Sequence, residues 1–169
     1  MYKLFMQFML VFLMLGATPV MSATWNLVAS NDTELFFFDA DTVAKHGDTV
    51  TLWLKYVRNV KVPYEDGIYA TSQKLDFSCA SRTVSKFNIS TYDKEGKFIR
   101  SYAAPENQET QKIDPGTVYD LVLKAACSSD FPKSKSRELY FPVEGNDIFR
   151  YTADYFKVEE ESKIDLAPK

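Results

Sequence analysis

The sequence has few of the residues on which catalytic and metal sites depend. Among its 169 residues there is one histidine, His46, and there are two cysteines, Cys79 and Cys127. A Ser-His-Asp triad would have to use His46, but no motif identifies a nucleophile, and an exposed turn residue is the simpler interpretation. One histidine and scattered acidic residues do not provide a recognisable ligand set for a metal ion. We therefore expect no catalytic residues, no metal site and no cofactor.

Glycine-rich loops and an excess of positive charge are missing as well. The six glycines form no loop of the kind that cradles phosphate groups. The formal net charge of −3 argues against the broad basic surface that general nucleic-acid binding requires. We therefore expect no nucleic-acid partner.

Long apolar runs are absent except near the N-terminus. There Lys3 precedes an almost wholly apolar run, Leu4 to Leu15, and small residues follow up to Ala23. This order is typical of a secretory signal peptide, with cleavage after Ala23 or, alternatively, after Ser22. The run is shorter than the roughly 20 residues of a transmembrane helix, and no cysteine near the cleavage site provides the lipobox of a lipoprotein. Residues 1–23 therefore predict a soluble, exported protein without a membrane anchor.

The clearest helix signal in the chain lies just before Cys127. Pro115 and Gly116 mark a turn, and Thr117 suits the N-cap of a helix. Apolar residues then recur at spacings of three and four, namely Val118, Leu121, Val122 and Ala125. Two cysteines in an exported chain favour one disulfide over a metal site or a catalytic thiol. If Cys127 pairs with Cys79, the C-terminal end of this helix is pinned onto the inner face of a sheet.

Alternating apolar residues predict the sheet itself, with one solvated side. The predicted strands are Trp25–Val28, Glu34–Asp39, Thr49–Val60, a long signal from Lys74 to Thr91 with a bend or bulge within Ala80–Ser85, and Lys97–Tyr102 after a hairpin turn at Asp93–Gly96. In the long signal the odd-numbered residues are predicted to be buried, namely Leu75, Phe77, Cys79, Phe87, Ile89 and Thr91. Residues 39–48 and 103–113 are predicted to lie outside strands.

The composition changes after Cys127. Residues 138–143 predict a short strand, and a helix is expected from Asp147 to about Glu160 with Asn146 as its cap, ahead of a disordered end. The apolar side of this helix carries aromatic residues, namely Phe149, Tyr151, Tyr155 and Phe156. They either cover the sheet of the same chain, which we prefer, or dock on a second subunit in a homodimer.

Several segments, taken in order, resemble the bacterial surface-adhesin protein E family. They are Trp25, Phe38–Val43, Lys45–Trp53, Ser72–Cys79, Ser90–Lys97 and Pro115–Val118, the last of which leads to Cys127. The resemblance covers residues 25–127 and implies an α+β fold, an antiparallel β-sheet with a C-terminal helix packed on its concave face and tethered by the Cys79–Cys127 disulfide. We therefore divide the chain into a signal peptide (1–23), a surface-adhesin-E-like domain (24–127) and a C-terminal extension (128–169).

The same resemblance implies a function. Family members adhere to host extracellular-matrix or plasma proteins through an exposed surface and not through a catalytic pocket. They are typically lipid-anchored, whereas this chain has no lipobox cysteine. Our first hypothesis is therefore an exported, non-enzymatic adhesin-like module of a Gram-negative bacterium, at the cell surface or secreted, with a host protein as partner. The alternative is a periplasmic, envelope-associated interaction protein. A small hydrolase has no residue constellation to support it.

Two groups of residues are candidate binding surfaces. The first group consists of Lys133, Lys135 and Arg137. Its alternating charges would lie on one side of an extended segment and suit a glycosaminoglycan or an acidic protein, unless they form only a solvated loop. The second group consists of Lys55, Arg58, Lys61 and Tyr64, near Tyr56. It could form a mixed aromatic and basic surface of the kind found at interfaces, but we prefer the alternative, in which Tyr56 packs beneath the sheet.

Overall fold

The computed structural model describes residues 23–62, 66–103, 110–128, 142–145 and 147–165. Several predicted features lie outside these ranges. They are residues 1–22 of the signal peptide, residues 138–141 of the predicted strand, the cap Asn146 and the last residues 166–169. Of the candidate binding residues, Tyr64, Lys133, Lys135 and Arg137 also lie outside the described residues.

The described residues form an antiparallel sheet and two α-helices. The strands are β1 (Thr24–Ser30), β2 (Glu34–Asp39), β3 (Ala44–His46), β4 (Thr49–Arg58), β5 (Ala70–Ser78), β6 (Thr83–Tyr92), β7 (Phe98–Tyr102), β8 (Gln111–Lys112) and β9 (Pro142–Glu144). The helices are α1 (Val118–Cys127) and α2 (Asp147–Asp165). The sheet order is β7-β6-β5-β4-β2-β1-β9, while β3 pairs with β4 and β8 with β6. The predicted α+β class is confirmed.

The sheet separates two hydrophobic cores, one under each helix. Adjacent residues of β2 show this division, because Phe36 and Phe38 belong to the core under α1 while Leu35 and Phe37 belong to the core under α2. All six residues of β2 are buried, so this strand is covered on both sides. We call the two sides of the sheet the α1 face and the α2 face.

Helix α1 is fixed at both of its ends. At its start the Thr117 side chain accepts a hydrogen bond from the Asp120 N–H. The Asp120 carboxylate, 1% exposed, in turn accepts hydrogen bonds from the Gly116 N–H at 2.9 Å and from Lys124 and Arg82. The Gly116 N–H, Lys124 and Arg82 together hold the pKa of Asp120 well below its usual range.

At the other end, the predicted disulfide joins Cys127, the last residue of α1, to Cys79, which follows β5. The Cα atoms are 5.7 Å apart. The C-terminal end of the helix is therefore held on the sheet, as the sequence predicts.

Helix α2 covers the opposite face of the same chain. Phe156 is 3% exposed in the core under α2, and the Tyr151 ring packs edge-on against Phe37 at 6.1 Å between centroids. The Phe149 ring lies so close to Gly96, in the β6–β7 turn, that a Cβ atom there would come within 2.8 Å of it. The preferred expectation, that the C-terminal aromatic residues cover their own sheet, is confirmed.

Two short segments predicted to lie outside strands were misassigned. Residues 44–46 form β3, which pairs with β4 through Ala44 opposite Thr51 and His46 opposite Thr49. The two-residue turn between them is allowed because Gly47 adopts a φ of +61°. Residues 111–112 form β8, which pairs with the start of β6. Both strands are too short for their side-chain pattern to reveal them.

The long strand signal from Lys74 to Thr91 consists of two strands, β5 and β6, joined by a tight turn. In that turn Arg82 has a φ of 54°. Asn88 also has a positive φ, of 35°, at the point where the pairing of β5 with β6 shifts by one residue. This extra residue reverses the alternation, so Phe87, predicted to be buried, is 39% exposed.

Replacing both Cys79 and Cys127 by serine should lower the free energy of unfolding by about 4 kcal/mol. The disulfide closes a loop of 48 residues, and its loss restores that conformational freedom to the unfolded chain. Urea unfolding of the purified variant and of the oxidised protein measures the difference. The unmutated protein after reduction is the control and should match the variant. An unchanged unfolding midpoint would contradict a tethering role.

Candidate binding groove

A groove opens on the α1 face, toward the β7 edge of the sheet. Its volume is about 620 Å³. The described lining residues are Tyr56, Asp66, Ile68, Thr71, Gln73, Ile89, Thr91 and Tyr102. Strand pairing arranges most of them in two rows across the sheet, Tyr56–Thr71–Thr91 and Gln73–Ile89–Tyr102. Four strands therefore build the groove, and its shape depends on their register.

The floor of the groove is polar although it is buried. Thr71, Gln73 and Thr91 are 6%, 7% and 2% exposed. The Gln73 amide donates to the Tyr56 hydroxyl at 3.0 Å, and Gln73 Oε1 accepts from Tyr119 of α1 at 3.4 Å. Because buried polar groups are costly unless they are paired, this network fixes the amide and the two phenols in place.

The two phenols bonded to Gln73, those of Tyr56 and Tyr119, are neutral near physiological pH. Burial raises the pKa of Tyr56, although hydrogen bonds from Thr71 and Gln73 act in the opposite direction. Burial also raises the pKa of Tyr119, to about 12, with a smaller contribution from Tyr56. Both hydroxyl groups therefore stay protonated and can donate as well as accept hydrogen bonds.

The rim combines one ion pair with exposed apolar side chains. The Asp66 carboxylate accepts from Arg100 of β7 at 2.9 Å, and both side chains are more than half exposed. Tyr102 is 44% exposed on the groove side of β7, and Ile99 of the same strand is 42% exposed. Within the described ranges no strand pairs with the outer edge of β7. Phe98, 54% exposed, lies against Tyr92 on the α2 face.

Lys55, one of the predicted surface residues, is buried. Only 6% of it is exposed, because the odd-numbered residues of β4 point to the α2 face. Its Nζ atom lies 4.5 Å from the ring centroids of both Trp25 and Tyr92. The lysine thus exchanges hydration for contact with two aromatic faces and does not present its charge to a partner.

The other described members of that predicted group are Arg58 and Lys61. The Arg58 guanidinium donates to Glu34 at 3.3 Å and is largely buried, whereas Lys61, more exposed, forms an ion pair with Glu160 of α2. Their role in binding stays a prediction. Tyr56, for which a packed position is the preferred prediction, is half-buried, contacts the core under α1 and also lines the groove.

Residues considered for catalysis do not form a reactive cluster. His46 is exposed at the end of β3. The nearby Asp48 carboxylate accepts from the Ser78 hydroxyl at 2.7 Å and from the Ala80 N–H, which fasten the turn to the end of β5. Within the described part of the chain, no group of three or more His, Cys, Asp or Glu residues is placed to hold a metal ion. Nor is any described helix long and apolar enough to cross a membrane.

Sequence patterns contain a weak signal for the groove that our predictions do not use. Thr71 and Gln73 lie on the same side of β5 as Leu75 and Phe77, so polar side chains occupy the buried side of a strand. Buried polar residues in such a run often mark a functional site. The signal does not reveal that Tyr102, from β7, completes the same surface.

Comparison with known proteins agrees with the resemblance in the sequence. The family model of surface-adhesin protein E matches residues 25–128. Among solved structures, the chain is similar to protein E from non-typeable Haemophilus influenzae, with 14% sequence identity and a TM-score of 0.43. That match covers 85% of this chain and 93% of the other. No curated protein matches the chain.

The amine of Lys55 should lose its proton near pH 8. Burial lowers its pKa to about 8, against a smaller opposite effect of Asp39. Between that value and the pKa of about 10.4 in an unfolded chain, the unfolded state binds more protons, so Lys55 should make stability rise with pH across this window. Side-chain NMR titration measures the pKa, and Lys55→Met assigns the signal. A value near 10.4 would contradict the buried position.

Proposed function

This chain belongs to the surface-adhesin protein E family, and we propose that it is an exported, non-enzymatic protein that binds host extracellular-matrix or plasma proteins. The observation that carries the proposal is the extent of the family match. Residues 25–128 include β1 to β8 and α1, and therefore every described residue that lines the groove. The elements that build the groove are thus those of the family, whereas α2 lies outside the match.

We place the contact with the partner at the groove and the adjoining edge of β7. The exposed aromatic ring of Tyr102 lines the groove there, and β7 also carries the exposed Ile99. Aromatic residues are enriched at protein interfaces, and an open edge strand offers backbone groups that an extended segment of a partner can pair with. On the α2 face the chain's own helix covers the core, although Phe98 stays exposed beyond it.

The basic residues have a supporting role in this proposal. The segment that joins β4 to β5 contains Lys61 and Tyr64 as well as Asp66 of the rim, so these residues lie on the same connection. Lys133, Lys135 and Arg137 are proposed as a separate contact for an acidic region of the partner. Their charges would increase the association rate more than they slow dissociation.

Adhesion requires that the protein is exposed outside the cell. We expect protease added to intact cells to digest it, because an adhesin has to reach its host partner. Immunoblotting before and after treatment measures this, with a periplasmic marker protein as the control for envelope integrity. Digestion only after the outer membrane is opened would contradict the proposal and favour the periplasmic interaction protein.

On β7, Tyr102 on the groove side should matter more for binding than Phe98 on the α2 face. We expect Tyr102→Ala to weaken binding about tenfold, since tyrosine is enriched among the residues that carry most of the binding energy of an interface, and Phe98→Ala to change it by less than about twofold. Surface plasmon resonance on immobilised matrix and plasma proteins measures both. The two residues are similarly exposed on one strand, so they form a matched pair. Equal losses in both variants would place the contact elsewhere.

A further inference from the structure

We propose that the groove binds a neutral saccharide, carried as a glycan on the partner protein. The inference rests on the proposed function, because it names the part of a host glycoprotein that the groove would hold. It is drawn from three properties of the groove, which are a buried polar floor, walls of aromatic and aliphatic side chains, and a lack of unpaired charge.

The floor is built to exchange hydrogen bonds with a ligand. A glutamine amide has two N–H donors and two lone pairs on its oxygen. The bonds of Gln73 to Tyr56 and Tyr119 use one donor and one lone pair, so one of each remains. The hydroxyl of Thr91, which is 2% exposed, donates a long and therefore weak hydrogen bond, at 3.4 Å, to the Arg100 carbonyl. Sugar hydroxyl groups both donate and accept, and therefore match hydroxyl and amide groups of this kind.

The walls suit the apolar faces of a sugar ring. Tyr56 and Tyr102 border the groove from β4 and β7, and Ile68 and Ile89 add aliphatic surface between them. Ligand sites commonly combine such apolar walls with a few fixed polar groups that set orientation. The volume of about 620 Å³ is within the roughly 300–1,000 Å³ of typical small-ligand pockets.

Charge favours a neutral ligand over an acidic one. Asp66 is the acidic residue among the described residues that line the groove, and its carboxylate is paired with Arg100. A sulfated or carboxylated glycan would meet this acid and would have to compete for the arginine. A neutral ligand carries neither cost.

A peptide is the less suitable occupant of the floor. An apolar side chain placed there would cover Thr71, Gln73 and Thr91 without offering them hydrogen bonds, which is costly for buried polar groups. A peptide that pairs with the edge of β7 would not need these three residues. Binding that depends on Gln73 and Thr91 therefore separates the two kinds of ligand.

The direct test is saturation-transfer NMR with the full exported chain and a set of free neutral, sialylated and sulfated oligosaccharides. We expect signals from neutral members and a loss of affinity of at least about tenfold in Gln73→Leu and in Thr91→Val. Ser72→Ala is the matched control, because Ser72 is equally buried beside Gln73 but points to the α2 face. Tyr102→Ala, which changes a half-exposed residue, keeps the test valid if the floor variants do not fold.

A parallel binding assay uses matrix glycoproteins before and after enzymatic removal of their glycans. We expect deglycosylation to abolish most of the binding. Equal binding to the deglycosylated proteins, with no signal from free neutral saccharides, would overturn the inference and leave a peptide as the ligand while the proposed function stands. A preference for sulfated chains would also overturn it. Failure to bind any host protein, with saccharide signals retained, would overturn the proposed function instead.

Discussion

The structure depends on the attachment of α1 to one part of the sheet. The Cys79–Cys127 disulfide holds the end of the helix, and the Asp120 carboxylate, bonded to Arg82 and Gly116, holds its start. These attachments lie at either end of a helix of only ten residues. Such a short helix covers the core side chains beneath it but does not extend over the whole face. The groove occupies the part of that face toward β7.

The two faces of the sheet consequently serve different purposes. On the α2 face a helix of 19 residues buries aromatic side chains and leaves Lys55 enclosed between Trp25 and Tyr92. On the α1 face the buried side chains change from apolar to polar beyond the helix, where Gln73 and Thr71 follow Leu75 along β5. This change supports the proposal that the partner binds on the α1 face.

Much of the fold follows from the sequence, because local patterns encode it. Helical spacing after Thr117 predicts α1, strand alternation predicts the sheet, and the cysteine count in an exported chain favours the disulfide. The patterns fail where a single residue changes the register. Asn88 bulges out of β6 and brings Phe87 to the surface, and no local rule predicts a left-handed asparagine within a strand.

The binding surface was harder to predict than the fold. Basic and aromatic residues near each other in sequence suggest a surface, but position in β4 sends Lys55 to the opposite side from Tyr56. The groove combines residues from β4 to β7, which are brought together by strand register over nearly fifty positions from Tyr56 to Tyr102. The spacing of these residues in the sequence does not reveal the groove, although polar residues on the buried face of a strand indicate a site there.

We propose that the protein binds its partner in the groove on the α1 face. The test is to record backbone-amide chemical shifts of the ¹⁵N-labelled protein during a titration. The titrant is a host glycoprotein fragment that binds the protein, or the glycan released from that fragment. We expect the largest changes at residues that share the groove, namely Thr71, Gln73, Ile89, Thr91 and Tyr102. Changes concentrated on α2, or in the segment from 129 to 141, with the groove residues unaffected, would contradict it.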